Sequence, residues 1–242
     1  MMPYFLALAP GRLDEAAREL GLSVPVVLAI SIGQSTIVLA IMVFSGLWAA
    51  QRVGLGAPVL DALLGGKPLP DGFRRASINA LIVGIATALL VVALEFFVFI
   101  PADPTGLGRV MQAPPAPWKG FLASFYGGIT EEIQLRLFIL SFLALGLRFA
   151  SRLLRGSKDL PLSIGVFWSA NIIAAIMFGL GHLPAMAELL PLTPLIVVRT
   201  LVLNGIVGIA AGFLFWRHGI ETAMICHFTA DIVLHVLLAL AI

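Results

Sequence analysis

The decapeptide Gly127-Gly128-Ile129-Thr130-Glu131-Glu132-Ile133-Gln134-Leu135-Arg136 puts two adjacent carboxylates and a guanidinium in the middle of the apolar stretch 119–147. A charged side chain at the centre of a bilayer costs at least about 2.5–3.5 kcal/mol on insertion scales, so such groups are normally paired or functional. Glu132 and Arg136 are four apart, which on a helix gives them one face, with the acid N-terminal to the base, the favourable order for an ion pair. Glu131 points about 100° away and lacks that partner. A carboxylate left alone in apolar surroundings is poised to accept a proton, the part a general base plays. Two readings stay open: Glu131 as a base beside a structural Glu132–Arg136 pair, or both acids in a salt-bridge knot or a watery cavity without chemistry.

Further along, His227 and Asp231 are again four apart inside an apolar run. That spacing stacks an imidazole and a carboxylate on one helix face, where they can share a water or a metal ion, or the carboxylate can orient the ring. A proton relay or an interhelical hydrogen bond would use the same pair. His182 closes the run Phe178-Gly179-Leu180-Gly181-His182, whose glycines allow close backbone approach or a bend, with Pro184 expected to break the helix just beyond. Each histidine alone is unremarkable. Together, three carboxylates and two imidazoles on three apolar segments all need partners, and that shared need predicts convergence. His235 and His218 add little, Asn171 and Asn204 read as interhelical glue, Cys226 as packing, and Gly205, Gly208, Ala211 and Gly212 as a packing face. Glu95 and Arg199 lie near span ends, from which each could reach the interface.

The elements that carry these residues follow from composition. Of 242 residues, 60% are hydrophobic and 12% charged, against about 25% charged in ordinary soluble domains, and the mean hydropathy is +1.05. That surplus exceeds what one soluble core can hide, so the bilayer is the solvent. Charge-poor intervals of roughly 20 residues, enough to cross about 30 Å, fall at 25–49, 77–100, 119–147, 160–187, 195–216 and 220–242. Between Pro10 and Gly21, Leu13, Ala16, Ala17 and Leu20 recur at helical spacing, the pattern of a short amphipathic helix lying on the membrane. The expected fold is therefore all-α, a single membrane-embedded domain over 1–242 with about six transmembrane helices and an N-terminal interfacial helix. Five prolines make 101–117 an irregular surface loop, and Tyr4–Ala9 is too short for a signal peptide, which leaves the N-terminus retained. Basic residues clustered between apolar runs rather than on one face leave no nucleic-acid footprint, a single cysteine excludes an internal disulfide, and no dinucleotide, Walker or zincin signature is present.

In this order, Glu131-Glu132-Ile133-Gln134-Leu135-Arg136 fits EExxxR, Phe178–His182 fits FxxxH and His227–Asp231 fits HxxxD. The set resembles the CAAX protease and bacteriocin-processing (CPBP, or Abi) family of intramembrane proteases, over about 119–235, a motif-bearing core. The resemblance implies an endopeptidase of membrane-associated or prenylated peptides, in a prokaryotic cell membrane. It makes Glu131 the residue that activates water and Glu132 and Arg136 the support of their helix. His182 and His227 would be metal ligands or oxyanion donors, with Phe178 beside them. A divalent metal, zinc among the candidates, would take Glu131, His182, His227 and Asp231 as ligands. Asp231 stands where prenyl endopeptidases usually have Asn. An ionised Asp cannot donate to an oxyanion, so the exchange tilts the site toward metal ligation or toward an acid that orients His227.

Two rivals remain at this stage: a proton-coupled transporter, which would predict internal repeats that are not evident, and a non-catalytic membrane binding partner of the bacteriocin-immunity kind. Orientation follows from Lys and Arg in the loops. Arg52, Lys67, Arg74 and Arg75, then Arg148, Arg152, Arg155 and Lys158, then Arg217 share one side, against Arg12, Arg18, Arg109 and Lys119 on the other with Arg199 near it. Both termini are thus expected outside the cytoplasm. Counted by depth, His182 lies far from the basic side while His227 lies close to it, which predicts a break or strong tilt in the fourth span.

Overall fold

The computed structural model describes residues 11–111, 114–155 and 162–241. Among them there is no strand. The interfacial helix α1 (Arg12–Leu20) is followed by the first long helix α2 (Val24–Val53), a short α3 (Pro58–Leu64), α4 (Phe73–Ala102), a short α5 (Leu107–Met111) and α6 (Pro117–Leu153). Three more long helices complete the bundle, α7 (Ile164–Ala187), α8 (Pro194–His218) and α9 (Ile220–Ala241). Six are long and apolar enough to cross a membrane, and the protein is a multi-pass integral membrane protein.

Local chemistry sets the helix ends. The Ser163 hydroxyl accepts from Val166 N–H at the start of α7, and Thr193 accepts from Ile196 N–H at the start of α8, each satisfying a donor that the first helical turn leaves open. Pro194 occupies the first turn of α8, where a missing N–H costs nothing. Gly219 alone turns the chain from α8 into α9, at φ 94°, a conformation that any L side chain would strain.

α7 packs along α8, and α9 lies against α4, α8 and α6, while α2 covers α6 from outside. Lipid gives little hydrophobic drive between helices, so association relies on close packing at small residues. A Cβ on Gly179 would stand 2.8 Å from Leu201 Cα, one on Gly84 2.5 Å from the Cys226 carbonyl and one on Gly208 3.1 Å from Ala175 Cβ. Ala211 and Cys226 are fully buried at such contacts. At the other end of α7, Phe167 stacks on Trp216 with centroids 4.2 Å apart.

The structure departs from the sequence expectations in several places. α7 runs unbroken from Ile164 through Pro184 to Ala187. Proline there removes one hydrogen bond near the helix end, where one turn of helix still follows, so the chain carries on instead of breaking. The segment 101–117 is also less irregular than its prolines suggest: Pro101 and Ala102 finish α4, and α5 forms from Leu107. α3 was not anticipated, since seven residues are too few to show a period. Four stretches are π-helical, Glu95–Phe99, Tyr126–Glu131, Ile133–Leu140 and Ile232–Leu237, a distortion that often accompanies functional sites. The expected start of the fourth span at 160, the retained stretch Tyr4–Ala9 and Ile242 lie outside the described residues.

Gly179→Ala should destabilise the bundle by about 1–3 kcal/mol through overpacking against Leu201. Gly181→Ala, two residues on with open space at its Cβ, should leave thermal unfolding in detergent unchanged or slightly raised.

Candidate active site

The third, fourth and sixth spanning helices bring their polar residues to one cavity of about 370 Å³, walled on the remaining side by α4 and α8. Glu131, Phe178, His182, His227 and Asp231 all line it. Glu132 and Arg136 sit just behind, Glu132 fully buried and Arg136 nearly so.

Arg136 Nη1 approaches Glu132 Oε1 at 2.9 Å, and the same oxygen accepts from His227 Nδ1 at 2.7 Å. One carboxylate oxygen thus ties α6 to α9. The Arg136 guanidinium lies 4.8 Å from the centre of the Phe178 ring, and that ring meets the edges of His182 and His227 with centroids 4.7 and 5.5 Å apart. Gly208 makes room for the guanidinium, since a Cβ there would stand 3.2 Å from Arg136 Nη2. Glu132 therefore does more than support its own helix: it fixes the ring of His227.

The hydrogen bonds also fix where the ring protons are. A carbonyl oxygen can only accept, so His182 Nδ1 carries the hydrogen in its 2.8 Å bond to the Phe178 carbonyl. His227 Nδ1 likewise donates to the carboxylate of Glu132. On both rings Nε2 is left as the second reactive nitrogen, with a lone pair when the ring is neutral and an N–H when it is protonated. His227 Nε2 faces Glu131 Oε2 at 3.8 Å and Asp231 Oδ1 at 3.7 Å. These separations are beyond direct hydrogen-bond reach and suit a bridging water.

Asp231 does not hold His227 at Nδ1, the position Glu132 occupies; it stands at the reactive end. Its Oδ1 is also 3.8 Å from His235 Nε2. A Cβ on Gly127 would collide with Asp231 Oδ2, and one on Gly128 would stand 2.7 Å from Phe228 Cβ, so the glycine pair lets the π-helical turn before Glu131 press against α9.

Tests of a metal centre turn on these same donors. Among the described residues no group of three or more His, Cys, Asp and Glu side chains is gathered closely enough to hold an ion. Glu131, His227 and Asp231 would have to draw in from their 3.7–3.8 Å separations, so the residues as placed do not form a finished metal site.

The sequence reading missed the other wall of the cavity. Glu95 and Arg199 do not reach the interface separately. They pair across α4 and α8, with Arg199 Nε 2.8 Å from Glu95 Oε2 and Nη2 2.9 Å from Oε1, and Glu95 is buried. The signal was present: by helix parity both sit near the same end of their spans, with opposite charge, and each needs a partner. Asn204 lines the cavity too, and its amide donates within α8 to the Thr200 carbonyl instead of bridging helices. Asn171 does bridge, donating from α7 to the Ile209 carbonyl of α8.

Comparison with known proteins adds an independent finding. The sequence pattern of a family described as Rce1-like, type II CAAX prenyl endopeptidase Rce1-like, matches residues 113–233, half of the chain and all three motifs. The chain belongs to this family. Membership makes it an intramembrane peptidase of the general CAAX type. Neither a curated protein nor a solved structure matches it. The match begins in the loop before α6 and ends inside α9, so α1 and α2 fall outside it, as does α4, which supplies Glu95.

Removing one member of the buried Glu95–Arg199 pair strands the other charge. Glu95→Leu and Arg199→Met should each destabilise the protein by about 3–5 kcal/mol, with much of the loss recovered in the double variant. Thermal unfolding of the three variants in detergent reads this directly.

Proposed function

We propose that this membrane peptidase hydrolyses a peptide bond of a membrane-associated or lipidated polypeptide, with Glu131 as the base. The observation that carries the reading is the 3.8 Å gap between Glu131 Oε2 and His227 Nε2 inside the cavity, with His227 held from behind by the Arg136–Glu132 pair. A water beside the two atoms, within hydrogen-bond reach of both, meets a proton acceptor in Glu131 and a fixed imidazole in His227.

In the reaction, Glu131 takes a proton from water as the water oxygen bonds to the substrate carbonyl carbon. The carbonyl oxygen becomes an oxyanion. His227, protonated and backed by the carboxylate of Glu132, offers Nε2–H to it, and His182 offers the same atom from α7. Glu131 then passes its proton to the amide nitrogen, the C–N bond breaks with its electron pair moving to nitrogen, and the acid and amine leave. Phe178 keeps both rings edge-on and shields the ion pair behind them. Asp231 acts by charge at His227 Nε2: ionised, it favours a proton on that nitrogen, and it repels an oxyanion placed directly against it. Prenylated peptides are one substrate group that this reading admits, and the Asp in place of Asn is the feature that sets them in question.

Purified wild type and Glu131→Gln, incubated with a mixed set of membrane-anchored and farnesylated peptides, test the proposal by mass spectrometry of new termini. Loss of about 10²–10⁴ in rate is expected for Glu131→Gln, the usual share of a general base, with thermal unfolding unchanged, and His227→Ala should be inactive as well. A well-folded Glu131→Gln variant with full activity would sink the mechanism. Elemental analysis of the active protein reports any bound zinc, and stoichiometric metal would reassign Glu131, His182, His227 and Asp231 as ligands.

A further inference from the structure

We infer that the catalytic cavity opens on the non-cytoplasmic face of the membrane, so that the bonds this peptidase reaches belong to exported, membrane-anchored polypeptides and not to chain ends presented in the cytoplasm. The substrate assignment rests on the proteolytic reading above; the sidedness does not.

The two ends of the bundle are well defined by contacts. At one end, the Arg52 carbonyl accepts from Arg148, the Gly56 carbonyl from Ile220 N–H, and Glu221 from the N–H groups of Val59 and Leu60. At the other, Arg12 of α1 bonds Glu188 just after α7, and Gly120 lets the start of α6 touch the backbone of His235 near the end of α9. The cavity communicates with the second end. Beyond its catalytic residues it is lined by Val110 and Pro114 from the α4–α6 connection, Glu188 and Leu189 from the α7–α8 connection, and Leu238 of α9. Among the described residues, the loops of the first end do not line it; Gly54–Pro58, Asp71 and Arg217–Gly219 line a separate cavity there.

The basic residues divide between the same two ends. The chain has 15 Lys and Arg, and the structure removes two from the orientation count, because Arg136 and Arg199 are locked into buried carboxylate pairs within the bundle. Of the remainder, nine fall in or beside the three connections of the first end, and Arg12, Arg18, Arg109 and Lys119 belong to the second. All three connections are short, the range in which Lys and Arg excess decides orientation. The basic end is therefore cytoplasmic, and the cavity mouth faces away from it. Removing Arg199 from the tally sharpens the bias, since it was the residue whose side the sequence left open.

This arrangement also explains how groups at unequal counted depths share one site. His182 lies near the C-terminal end of α7 and Asp231 halfway along α9, both approached from the mouth, while His227 and the Glu132–Arg136 pair form the floor. The amphipathic helix α1 lies on the same face, tied by Arg12 to the rim residue Glu188, where an approaching anchored substrate would meet it.

Cys226 is the one cysteine and is buried, so single cysteines report on topology. In a Cys226→Ala background, Ala116→Cys beside the mouth and Lys67→Cys in the opposite loop are exposed to a membrane-impermeant maleimide on spheroplasts. Labelling of Ala116→Cys in intact spheroplasts, with Lys67→Cys labelled only after permeabilisation, is the expected result. The peptide set added outside spheroplasts should be cleaved by wild type and not by Glu131→Gln. Labelling of Lys67→Cys from outside, or cleavage in detergent but never by intact spheroplasts, overturns the inference and leaves the proteolytic reading standing. Absence of wild-type cleavage in detergent removes the proteolytic reading and the substrate assignment with it, while the labelling still decides which way the cavity faces.

Discussion

One carboxylate oxygen organises the site. Glu132 Oε1 forms an ion pair with Arg136 on its own helix and accepts a hydrogen bond from His227 on another, at a depth where an uncompensated charge is costly. Arg136 neutralises the acid, the acid orients the imidazole, and the Phe178 ring covers the guanidinium while touching both histidines. Each of these contacts is held by another member of the set. A helix shift that loosened α6 from α9 would strip the buried Glu132 carboxylate of its His227 donor, so this bond keeps the two helices in register. The small residues that let it form, Gly127 and Gly128 on α6 and Gly208 on α8, serve the same constraint from the outside, because added side chains at these places would meet Asp231, Phe228 and Arg136.

The parts of this arrangement visible in sequence are those governed by local periodicity. Six apolar intervals gave the six spans, and the four-residue spacing of Glu132 with Arg136 gave their ion pair, even though the stretch from Ile133 to Leu140 is π-helical. The expectation that charges on three separate spans would converge rested on energy rather than on pattern, and the shared cavity agrees with it. What periodicity does not encode is which partner each group takes. The bond from His227 to Glu132 joins residues 95 positions apart, and Asp231, the nearer acid, was the natural suspect for orienting the ring. Glu95 and Arg199 were treated one at a time, as ends able to reach the interface, when their depth and opposite sign made a pair. Pro184 was weighted as a helix breaker without regard to how little helix remained after it.

The family match covers the helices that hold the motifs, but the cavity is completed by elements it does not span. Val91, Val92 and Glu95 of α4 form part of the wall, and Glu95 is what allows Arg199 to stand there without a bare charge. Division of labour in the fold follows from this: α6, α7 and α9 bring Glu131, His182, His227 and Asp231 together, and α4 with α8 closes the remaining side of the cavity. A largely apolar wall with a few fixed polar groups is the usual make-up of a site that orients its ligand.

Proton placement carries the chemical argument one step further. Both histidines spend Nδ1–H on protein acceptors, His182 on a backbone carbonyl and His227 on Glu132. With both rings neutral the cavity receives two lone pairs at Nε2, a set that binds a cation or accepts hydrogen bonds but cannot stabilise an oxyanion. With His227 protonated, the same atom becomes a donor aimed between Glu131 and Asp231. Whether Nε2 offers a lone pair or an N–H is therefore set by protonation within one arrangement of the rings. Asp231 Oδ1 stands 3.7 Å from His227 Nε2, where an Asn would place an uncharged amide. On the proposed mechanism, the exchange of Asn for Asp falls where the site would hold a developing negative charge.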